Sequence, residues 1–540
     1  MNIIMKLNEV ITAKLDGINK FRDENQLILY TTKRGETTKT NPYGIEVIVV
    51  DGIVVKKGTN DNQIPQNGYV LSGNSKMCRF LMEKILIGTK VEINDSKTEA
   101  TFYIDKQTYI TDTRATAELN IAHIAENSNN DNRVLAMEII EQIENKLIQL
   151  DKTDGEAEFT ALLDEVKKLN EKAYIVGTAS PAVEARGIWH RPSEKTAEDI
   201  ENTVKYLADT GFNMLLVEAF YNGYVIYKNS AFCETRPNLA DKDFDMLEEF
   251  VKAGKKYGVE IHAWVEDFFV GSPYEVPEGT KSGSPIIDKH PEWAAKLKNG
   301  SIYMTTEPKF VYINAAMDEV QDFISNVYNE MLERYEIDGI QLDYIRYPLG
   351  TTIENTVGFD DYTLAEFKLQ SGIDARDITD FESDEWLQFT NFKTFHVTRF
   401  VNRIHNEVRE FEKRTGRRVY LSTAVFGDPD IALKHKCQNW QFWMSNNWLD
   451  FISPMAYYED SDEVRKEVKN MVDRYPNIPN YAGIAPMYHH MPSIDSTRQI
   501  VATRDAGAKG VVFFATNALS GEQAELLKAG PFKYKSDVRG

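Results

Sequence analysis

The chain has few cysteines that could cross-link the fold and no long apolar segment that could insert it into a membrane. Only three cysteines occur among 540 residues, and their number and wide spacing predict neither a disulfide framework nor a cysteine-based zinc site. No apolar run is long enough to span a bilayer, so no transmembrane segment is predicted. The N-terminal segment also lacks the apolar core and small-residue cleavage site of an export signal. As written, the chain is predicted to be cytoplasmic; a secreted or cell-envelope location would follow if an export signal had been removed.

Positive charge is scarce as well. The chain has 62 lysines and arginines against 83 aspartates and glutamates, which gives a net charge of −21. This balance opposes binding to nucleic acid or to an anionic membrane surface, whereas a neutral or cationic substrate is compatible with it. No metal or cofactor is predicted, and His262 with Glu266 finds no third metal ligand.

The length predicts two or three domains, and the rhythm of the sequence changes along the chain. Short β-rich runs such as IEVIVV and IVVKKG, joined by the tight turn DGI, come first. A helical stretch follows, in which Leu135, Ile139, Ile143 and Leu147 form one apolar face. The predicted divisions are a small β-rich α+β domain over 1–112, a helical connector over 113–183, a barrel over 184–532 and a C-terminal tail over 533–540.

The largest zone repeats one pattern, in which an amphipathic helix leads through a glycine into a short apolar strand. KYLADTG leads into NMLLVEAF, FVKAGKKYG into VEIHAWVED, and MLERYEIDG into IQLDYIRYP. Eight such strand candidates alternate with helices, which predicts a closed, parallel (β/α)8 TIM barrel of the α/β class. An open doubly wound sheet is the alternative, and the absence of a glycine-rich phosphate motif weighs against it.

Active sites of such barrels lie at the carboxyl ends of the strands, so the last polar residues of each strand are the candidates. Because side chains alternate along a strand, His262, Trp264 and Glu266 are predicted to face the barrel interior, opposite Ala263 and Val265. The same alternation turns Asp343 and Glu218 inward, and it places Arg186 and His190 on one shared side of the first strand.

Three inward carboxylates suit glycoside hydrolysis, which needs one carboxyl group to protonate the leaving oxygen and another to attack the anomeric carbon or activate water. Asp343 is the first choice as an essential catalytic residue, Glu266 its preferred partner and Glu218 the third candidate. A buried ion-pair network around Arg186 that only holds the barrel mouth is the structural alternative.

Aromatic and polar side chains crowd the same rim, and aromatic rings suit the flat C–H faces of sugars. The predicted substrate-binding residues are Arg186, Trp189, His190, Tyr224, His262, Trp264, Asp267, Tyr344, Arg346 and Tyr457.

Several blocks of the barrel zone resemble, in order, those of the glycosyl-hydrolase-10-like family. The blocks are EARGIWHRP, GFNMLLVEAFYNGYVIY, VEIHAWVEDF, IDGIQLDYIRYP, FISPMAYY and KGVVFFATN, and the resemblance covers about 184–530. It implies a (β/α)8 barrel and a glycoside hydrolase, often exported and linked to cell-envelope or exopolysaccharide metabolism. The family's motifs fall here on Asp343, Tyr344, Arg346, Tyr347 and Pro348 at strand four, and on His262, Ala263 and Trp264 at strand three.

The chain departs from that family pattern twice. Leu342-Asp343 stands where many relatives have two aspartates, and Val217-Glu218-Ala219 stands where many have Gln-Val-Arg. The second exchange replaces an arginine-bearing motif with one that carries Glu218, so it bears on whether the enzyme prefers a charged or a neutral substrate. In the first zone, YGIEVIVVDGIVVKKG and the block from NGYVLSG to KVEI resemble part of a phosphodiester glycosidase domain of the exopolysaccharide N-acetylglucosamine type, which implies amino-sugar polymers as substrates.

The sequence therefore predicts a glycoside hydrolase acting on a bacterial envelope or exopolysaccharide glycan, with an amino-sugar-containing glycan as one candidate. A carbohydrate-binding protein on a barrel that has lost catalysis is the alternative. A metal-dependent deacetylase or lyase is a third reading.

Overall fold

The computed structural model describes residues 8–16, 25–40, 44–58, 60–240, 243–274 and 280–539. The chain forms two compact units, Met1–Ala179 and Ser180–Gly540. Residues 1–7 lie outside the described residues. They belong to the N-terminal segment in which no export signal was predicted.

The first unit begins with a closed barrel whose strands follow the order β1-β2-β5-β3-β4-β6-β7. Its core includes Val47, Leu71 and Phe102, all fully buried. The predicted DGI turn is confirmed, since Val50 pairs with Ile53 across Asp51 and Gly52, which both have positive φ. The elements are β1 Asn8–Asp16, β2 Leu27–Tyr30, β3 Gly44–Val50, β4 Ile53–Lys57, β5 Gly68–Asn74, α1 Lys76–Lys84, β6 Lys90–Ile93 and β7 Glu99–Asp105.

Three long helices complete this unit, namely α2 Lys106–Asn127, α3 Asn130–Lys152 and α4 Glu156–Val176. They lie in the same compact unit as the small barrel. In α3, Ile139, Ile143 and Leu147 are buried as predicted, but Leu135 is 42% exposed, so its assignment to the apolar face was wrong. Residues spaced four apart shift gradually around a helix that has 3.6 residues per turn, so Leu135, the first of the four, faces solvent.

The second unit is a parallel barrel of eight strands, which confirms the predicted fold class. The strands follow the order β17-β16-β15-β12-β9-β8-β19-β18, and isolated parallel bridges from Ile452 to Asn480 and from Met455 to Gly483 join the two ends. All eight predicted strands are present. They are β8 Ala185–His190, β9 Met214–Tyr221, β12 Glu260–Glu266, β15 Gly339–Asp343, β16 Tyr420–Val425, β17 Phe451–Pro454, β18 Tyr481–Ile484 and β19 Gly510–Phe513.

Helices pack around this barrel, and the first of them starts with a capping box between Thr196 and Asp199 and ends at Gly211, whose φ is +103°. Among the described helices, none is both long and apolar enough to cross a bilayer. The helices are α5 Ala197–Thr210, α6 Pro237–Ala240, α7 Met246–Tyr257, α8 Pro285–Lys289, α9 Asp318–Arg334, α10 Asp361–Ser371, α11 Asp384–Thr415, α12 Trp440–Ser445, α13 Ser461–Arg474, α14 Ile494–Asp505 and α15 Gly521–Ala529. Short strands lie in the loops: β10 Tyr224–Val225, β11 Glu234–Thr235, β13 Phe269–Gly271 and β14 Val311–Tyr312.

Residues from the predicted C-terminal tail are packed against the amino ends of the barrel strands. Arg539 donates to both carboxylate oxygens of Glu260, at 2.6 and 2.8 Å, and its guanidinium lies 3.4 Å from the ring centroid of Tyr420. Arg186 donates to the backbone oxygen of Tyr534. These contacts close the barrel end that lies opposite the predicted active site.

A buried histidine of α11 makes the fold sensitive to acid. His396 is 5% exposed and packs against Phe392, and neither ring nitrogen has a hydrogen-bond partner within the described part of the chain. Burial, with repulsion by Arg399, lowers the pKa of His396 to about 4. The folded protein therefore holds this imidazole neutral at pH values where the unfolded chain protonates it.

We expect stability to fall as the pH is lowered from about 6.5 to about 4, because the unfolded state then binds the additional proton. Replacing His396 by Phe should reduce this loss by up to about 3 kcal/mol, read from thermal unfolding midpoints at several pH values. His290→Phe is the matched control, since His290 is 44% exposed and stacks on Trp293. Parallel acid losses in wild type and His396→Phe would contradict the assignment.

Candidate active site

A cavity of about 390 Å³ opens at the carboxyl ends of the large barrel's strands. Six strands contribute to it: β8, β15, β16, β17 and β19 each end at or beside a lining residue, and Trp264 lies within β12. The lining side chains are mostly aromatic, with one carboxyl group and two guanidinium groups among them. They are Trp189, Arg191, Trp264, Asp343, Tyr344, Arg346, Ala424, Phe426, Met455, Tyr457, Tyr458 and Phe514.

Asp343 is the carboxyl group of this cavity, and it is held by two N–H donors. The indole of Trp264 donates to Oδ2 at 2.9 Å, and the backbone N–H of Tyr344 donates to Oδ1 at 2.7 Å. Burial raises the pKa of Asp343 above its ordinary value, although these two donors and the charges of Arg346 and Arg191 oppose the rise. A carboxyl group with a raised pKa in a cavity can hold a proton for transfer.

The backbone bends sharply just after Asp343. Tyr344 has φ +47°, a left-handed conformation that costs a non-glycine residue free energy. This bend turns the Tyr344 N–H back toward the Asp343 carboxyl and lets the Tyr344 ring join the wall of the cavity. The strained residue and the candidate acid are therefore adjacent in the chain.

Glu266 and Glu218 lie beside the cavity, and both are bound by Arg191. Arg191 Nε lies 3.1 Å from Glu218 Oε1, and its Nη2 lies 3.7 Å from Glu266 Oε1. Both carboxylates are almost completely buried, whereas the Arg191 side chain is 39% exposed. Burial favours the neutral form of Arg191, but Glu218 and Glu266 outweigh this effect and raise its pKa. A single guanidinium thus links a side chain of β9 with one of β12.

Glu266 is also the strand neighbour of Asp343. The two residues are paired in the parallel register of β12 and β15, and the Asp267 N–H donates to the Asp343 backbone oxygen at 2.8 Å. Adjacent strands are separated by about 4.8 Å, so the two side chains leave the barrel rim close together.

Arg346 forms the opposite cationic side of the cavity. Its Nη1 donates to Glu307 Oε1 at 2.9 Å, and Tyr312 also donates its hydroxyl proton to Glu307. The Arg346 guanidinium lies 4.6 Å from the centroid of the Tyr344 ring. Lys436 Nζ lies 3.5 Å from Glu307, and burial, with repulsion by Arg346, lowers the pKa of Lys436 to about 7.

Aromatic rings make the walls. Tyr457 stacks on Phe514 with centroids 5.4 Å apart, and Trp189 meets both rings edge to face. The Trp189 indole donates to Gln341 Oε1 at 2.5 Å, deeper in the barrel. Such fixed rings offer flat surfaces against which a sugar ring can pack.

The structure brings most of the predicted site residues together. Asp343, Trp189, Trp264, Tyr344, Arg346 and Tyr457 all line the cavity, while Glu266 and Glu218 border it through Arg191. The predicted inward direction of Trp264 is confirmed, because it packs with interior residues while Ile261, Ala263 and Val265 pack with the helix layer.

Three predicted substrate-binding residues lie away from the cavity, so their assignment is corrected. Arg186 is at the amino end of β8, paired with Glu184 at 2.9 Å. His190 contacts Glu194 and packs edge to face on Phe250 of α7. Both point outward, because the interior side of β8 carries the odd-numbered positions. His262 does face the interior, but it binds Glu260 at 3.0 Å near the opposite end of the barrel.

Tyr224 and Asp267 also lie outside the lining. Tyr224 belongs to β10, which folds back antiparallel on β9, and its side chain is 5% exposed. Asp267 is fully buried and accepts a hydrogen bond from Tyr328 of α9 at 2.7 Å. Burial, together with the charge of Asp343, raises the pKa of Asp267 well above its ordinary value. Alternation along the chain turns it away from Glu266 toward the helices.

Sequence reasoning missed Arg191, Phe426, Phe514 and Glu307. A signal for Arg191 was present, since a residue two positions after the inward-facing Trp189 shares its side of the chain. Phe426 and Phe514 directly follow β16 and β19, two of the strands that the sequence predicted, and could have been found in the same way. Glu307 lies in the long loop after β13 and has no such periodicity.

No group of three or more histidine, cysteine, aspartate or glutamate side chains capable of holding a metal ion occurs within the described ranges. The arrangement at the cavity is instead one of carboxyl groups, guanidinium groups and aromatic rings, which can bind hydroxyl-rich molecules and transfer protons.

Fold and site together define a TIM-barrel protein with the features of a carbohydrate-acting site. The family model "Glycosyl hydrolase-like 10" matches residues 184–480, more than half of the chain. The protein belongs to this glycosyl hydrolase-like family.

Curated relatives agree with the family at low identity. The chain is 22% identical over 347 residues to an S-layer-related protein of Niallia circulans, covering 54% of this chain and 21% of that protein. It is 28% identical over 105 residues to glycosyl hydrolase DigH of Escherichia coli strain K12, covering 18% and 22% of the two chains. Glycosyl hydrolase YngK of Bacillus subtilis strain 168 is 24% identical over 167 residues, covering 29% and 31%. The alignments thus span less than a third of each relative's length.

Solved structures that the chain matches include the catalytic domain of a β-amylase from Paenibacillus polymyxa, at 10% identity and TM-score 0.46, covering 64% of this chain and 95% of that one. The α-galactosidase AgaB of Geobacillus stearothermophilus matches at 11% identity and TM-score 0.39, covering 96% and 56%. Both scores are below 0.5, so the fold assignment rests on the strand order of this chain.

Replacing Trp264 by Phe should raise the pKa of Asp343 further, because the variant loses a donor that favours the ionised carboxylate. Titration by NMR of carboxyl carbons, with the Asp343 signal assigned from Asp343→Asn, measures the shift. Trp189→Phe removes the same indole volume from the same cavity but only its bond to Gln341, so it should leave the titration unchanged. Equal shifts in both variants would show that cavity polarity, and not the hydrogen bond, sets the pKa.

Proposed function

We propose that the protein is a glycoside hydrolase that cleaves a bacterial envelope or exopolysaccharide glycan at the carboxyl end of its large barrel. The observation that carries this proposal is Asp343, a buried carboxyl group with a raised pKa in a cavity walled by aromatic rings. In this role Asp343 donates its proton to the leaving glycosidic oxygen.

Glu266 is the proposed partner of Asp343. It lies on the neighbouring strand in register with Asp343, and its ion pair with Arg191 favours the ionised form. An ionised carboxylate beside a protonated one is the combination that glycosidases use, with the ionised group acting as nucleophile or as base toward water. Glu218, which shares Arg191, then acts by holding this guanidinium in place.

The aromatic walls are the proposed sugar platform. Trp189, Trp264, Tyr344 and Tyr457 present ring surfaces to the cavity, and Arg346 is anchored by Glu307 at its edge. Arg346 retains N–H donors that can hydrogen-bond sugar hydroxyls, since a guanidinium carries five.

Two similarities support the substrate class. One relative is named an S-layer-related protein, which favours a substrate and a location at the cell envelope. The first unit's resemblance to an exopolysaccharide N-acetylglucosamine-type phosphodiester glycosidase, carried by IEVIVV and its neighbouring blocks, favours a glycan that contains amino sugars.

Asp343→Asn should lower kcat on any glycan that the wild type cleaves by about 10² to 10⁴-fold, because the amide cannot donate a proton to the leaving oxygen. The wild-type rate should fall as the pH rises through the raised pKa of Asp343, since the acid form is then lost. Release of reducing ends from bacterial envelope glycans and exopolysaccharides measures both effects.

Asp267→Asn is the matched control, since Asp267 is a neighbouring buried carboxyl that lies outside the cavity and accepts a hydrogen bond from Tyr328. It should keep kcat within a few-fold of the wild type. Full activity of Asp343→Asn would refute the proposed acid. Binding of glycans without cleavage by the wild type would favour a carbohydrate-binding protein instead.

A further inference from the structure

We propose that the mouth of the cavity selects uncharged sugars over acidic ones, and that Glu218 is the residue that sets this preference. The inference rests on the proposed function, because it concerns the glycan bound at the same site. It is drawn from the pairing of the arginines at the mouth.

Arg191 has two carboxylate partners. Its Nε lies 3.1 Å from Glu218 and its Nη2 lies 3.7 Å from Glu266, and both glutamates are buried. The guanidinium also lies 5.2 Å from the Tyr221 ring centroid and 5.4 Å from that of Trp264, so it is fixed between rings. Its positive charge is therefore neutralised by the protein before any ligand arrives.

Glu218 serves a second arginine as well. Arg236 Nη2 lies 3.7 Å from Glu218 Oε2, and its guanidinium lies 5.3 Å from the Tyr221 ring centroid. One buried carboxylate thus lies between Arg191 and Arg236. Removing its charge would leave one positive charge in excess at this side of the mouth.

The arginine on the opposite side of the cavity is paired in the same way. Arg346 binds Glu307 at 2.9 Å, and Asp343 lies close enough to affect its pKa. Three arginines therefore face Glu218, Glu266 and Glu307, and the buried Lys436 lies 3.5 Å from Glu307 and shares this carboxylate with Arg346. Asp343 is a fourth carboxyl group. A sugar carboxylate would have to displace a built-in partner while lying near these carboxyl groups, which disfavours it.

An uncharged sugar meets no such penalty. A paired guanidinium keeps further N–H donors for hydroxyl or acetamido oxygens, and hydrogen bonds to them need no excess charge. The aromatic walls contribute contact area that is also independent of charge. The mouth is thus suited to neutral hexose or N-acetylhexosamine units.

The test is calorimetric binding of two tetrasaccharides to the Asp343→Asn protein, in which turnover is suppressed. One is the neutral N-acetylglucosamine tetramer. The other is a hyaluronan tetrasaccharide, which alternates N-acetylglucosamine with a carboxylate-bearing sugar. We expect the neutral tetramer to bind at least about tenfold more tightly.

Adding Glu218→Gln should shift this ratio toward the acidic tetrasaccharide by about tenfold, and the gain should shrink as the salt concentration rises. Adding Arg236→Gln to that variant should restore the original ratio, because it removes the excess positive charge. Glu385→Gln, which changes an exposed glutamate in the first turn of α11, should leave the ratio unchanged.

Tighter binding of the acidic tetrasaccharide by the starting protein would overturn this inference and leave the proposed glycosidase intact. An unchanged ratio in Glu218→Gln, with the variant's unfolding midpoint retained, would also overturn it. If Glu218→Gln fails to fold, the double variant Glu218→Gln with Arg236→Gln provides the test. Loss of its preference for the neutral tetrasaccharide would count against the inference. Binding of neither tetrasaccharide would overturn both this inference and the amino-sugar substrate class.

Discussion

The ion pairs of Arg191 are the constraint on which the candidate site depends. Glu218 and Glu266 are buried at the ends of adjacent strands, where two like charges would repel each other and lose their hydration. A guanidinium between them stabilises both charges. The same arrangement includes the Tyr221 ring, which Arg191 contacts, and Arg236, which binds Glu218.

The contrast between Asp343 and Glu266 arises from their surroundings. Asp343 lies among rings, and burial raises its pKa despite two N–H donors. Glu266, one strand away, has a cation within 4 Å, which favours its charged form. The two carboxyl groups on neighbouring strands thus have different surroundings, because N–H donors hold Asp343 among rings whereas Glu266 lies beside a guanidinium.

The sequence was sufficient to predict the barrel, because the order helix, glycine, strand repeats along residues 184–532. Helix capping and the alternation of side chains along a strand depend only on nearby residues, so they can be recognised without the structure. The sequence was also sufficient for residues whose strand phase was read correctly, such as Trp264 and Asp343. The first strand was read in the wrong phase, so Arg186 and His190 were preferred to Arg191. Residues from loops that bind site residues, such as Glu307 with Arg346, depend on tertiary contacts between distant segments, and no sequence periodicity predicts them.

The order of strands also bears on how the chain acquires its structure. Strand β8 pairs with β9, its next large-barrel neighbour in sequence, but its other edge pairs with β19, where Ala185 meets Gly510. During synthesis from the amino end, β8 emerges long before that second neighbour exists. One edge of a growing parallel sheet therefore stays open until the last strand is made, and such an edge can pair with another chain. Translation speed through the second half of the gene, and chaperones that cover the edge, would then govern the yield of folded barrel.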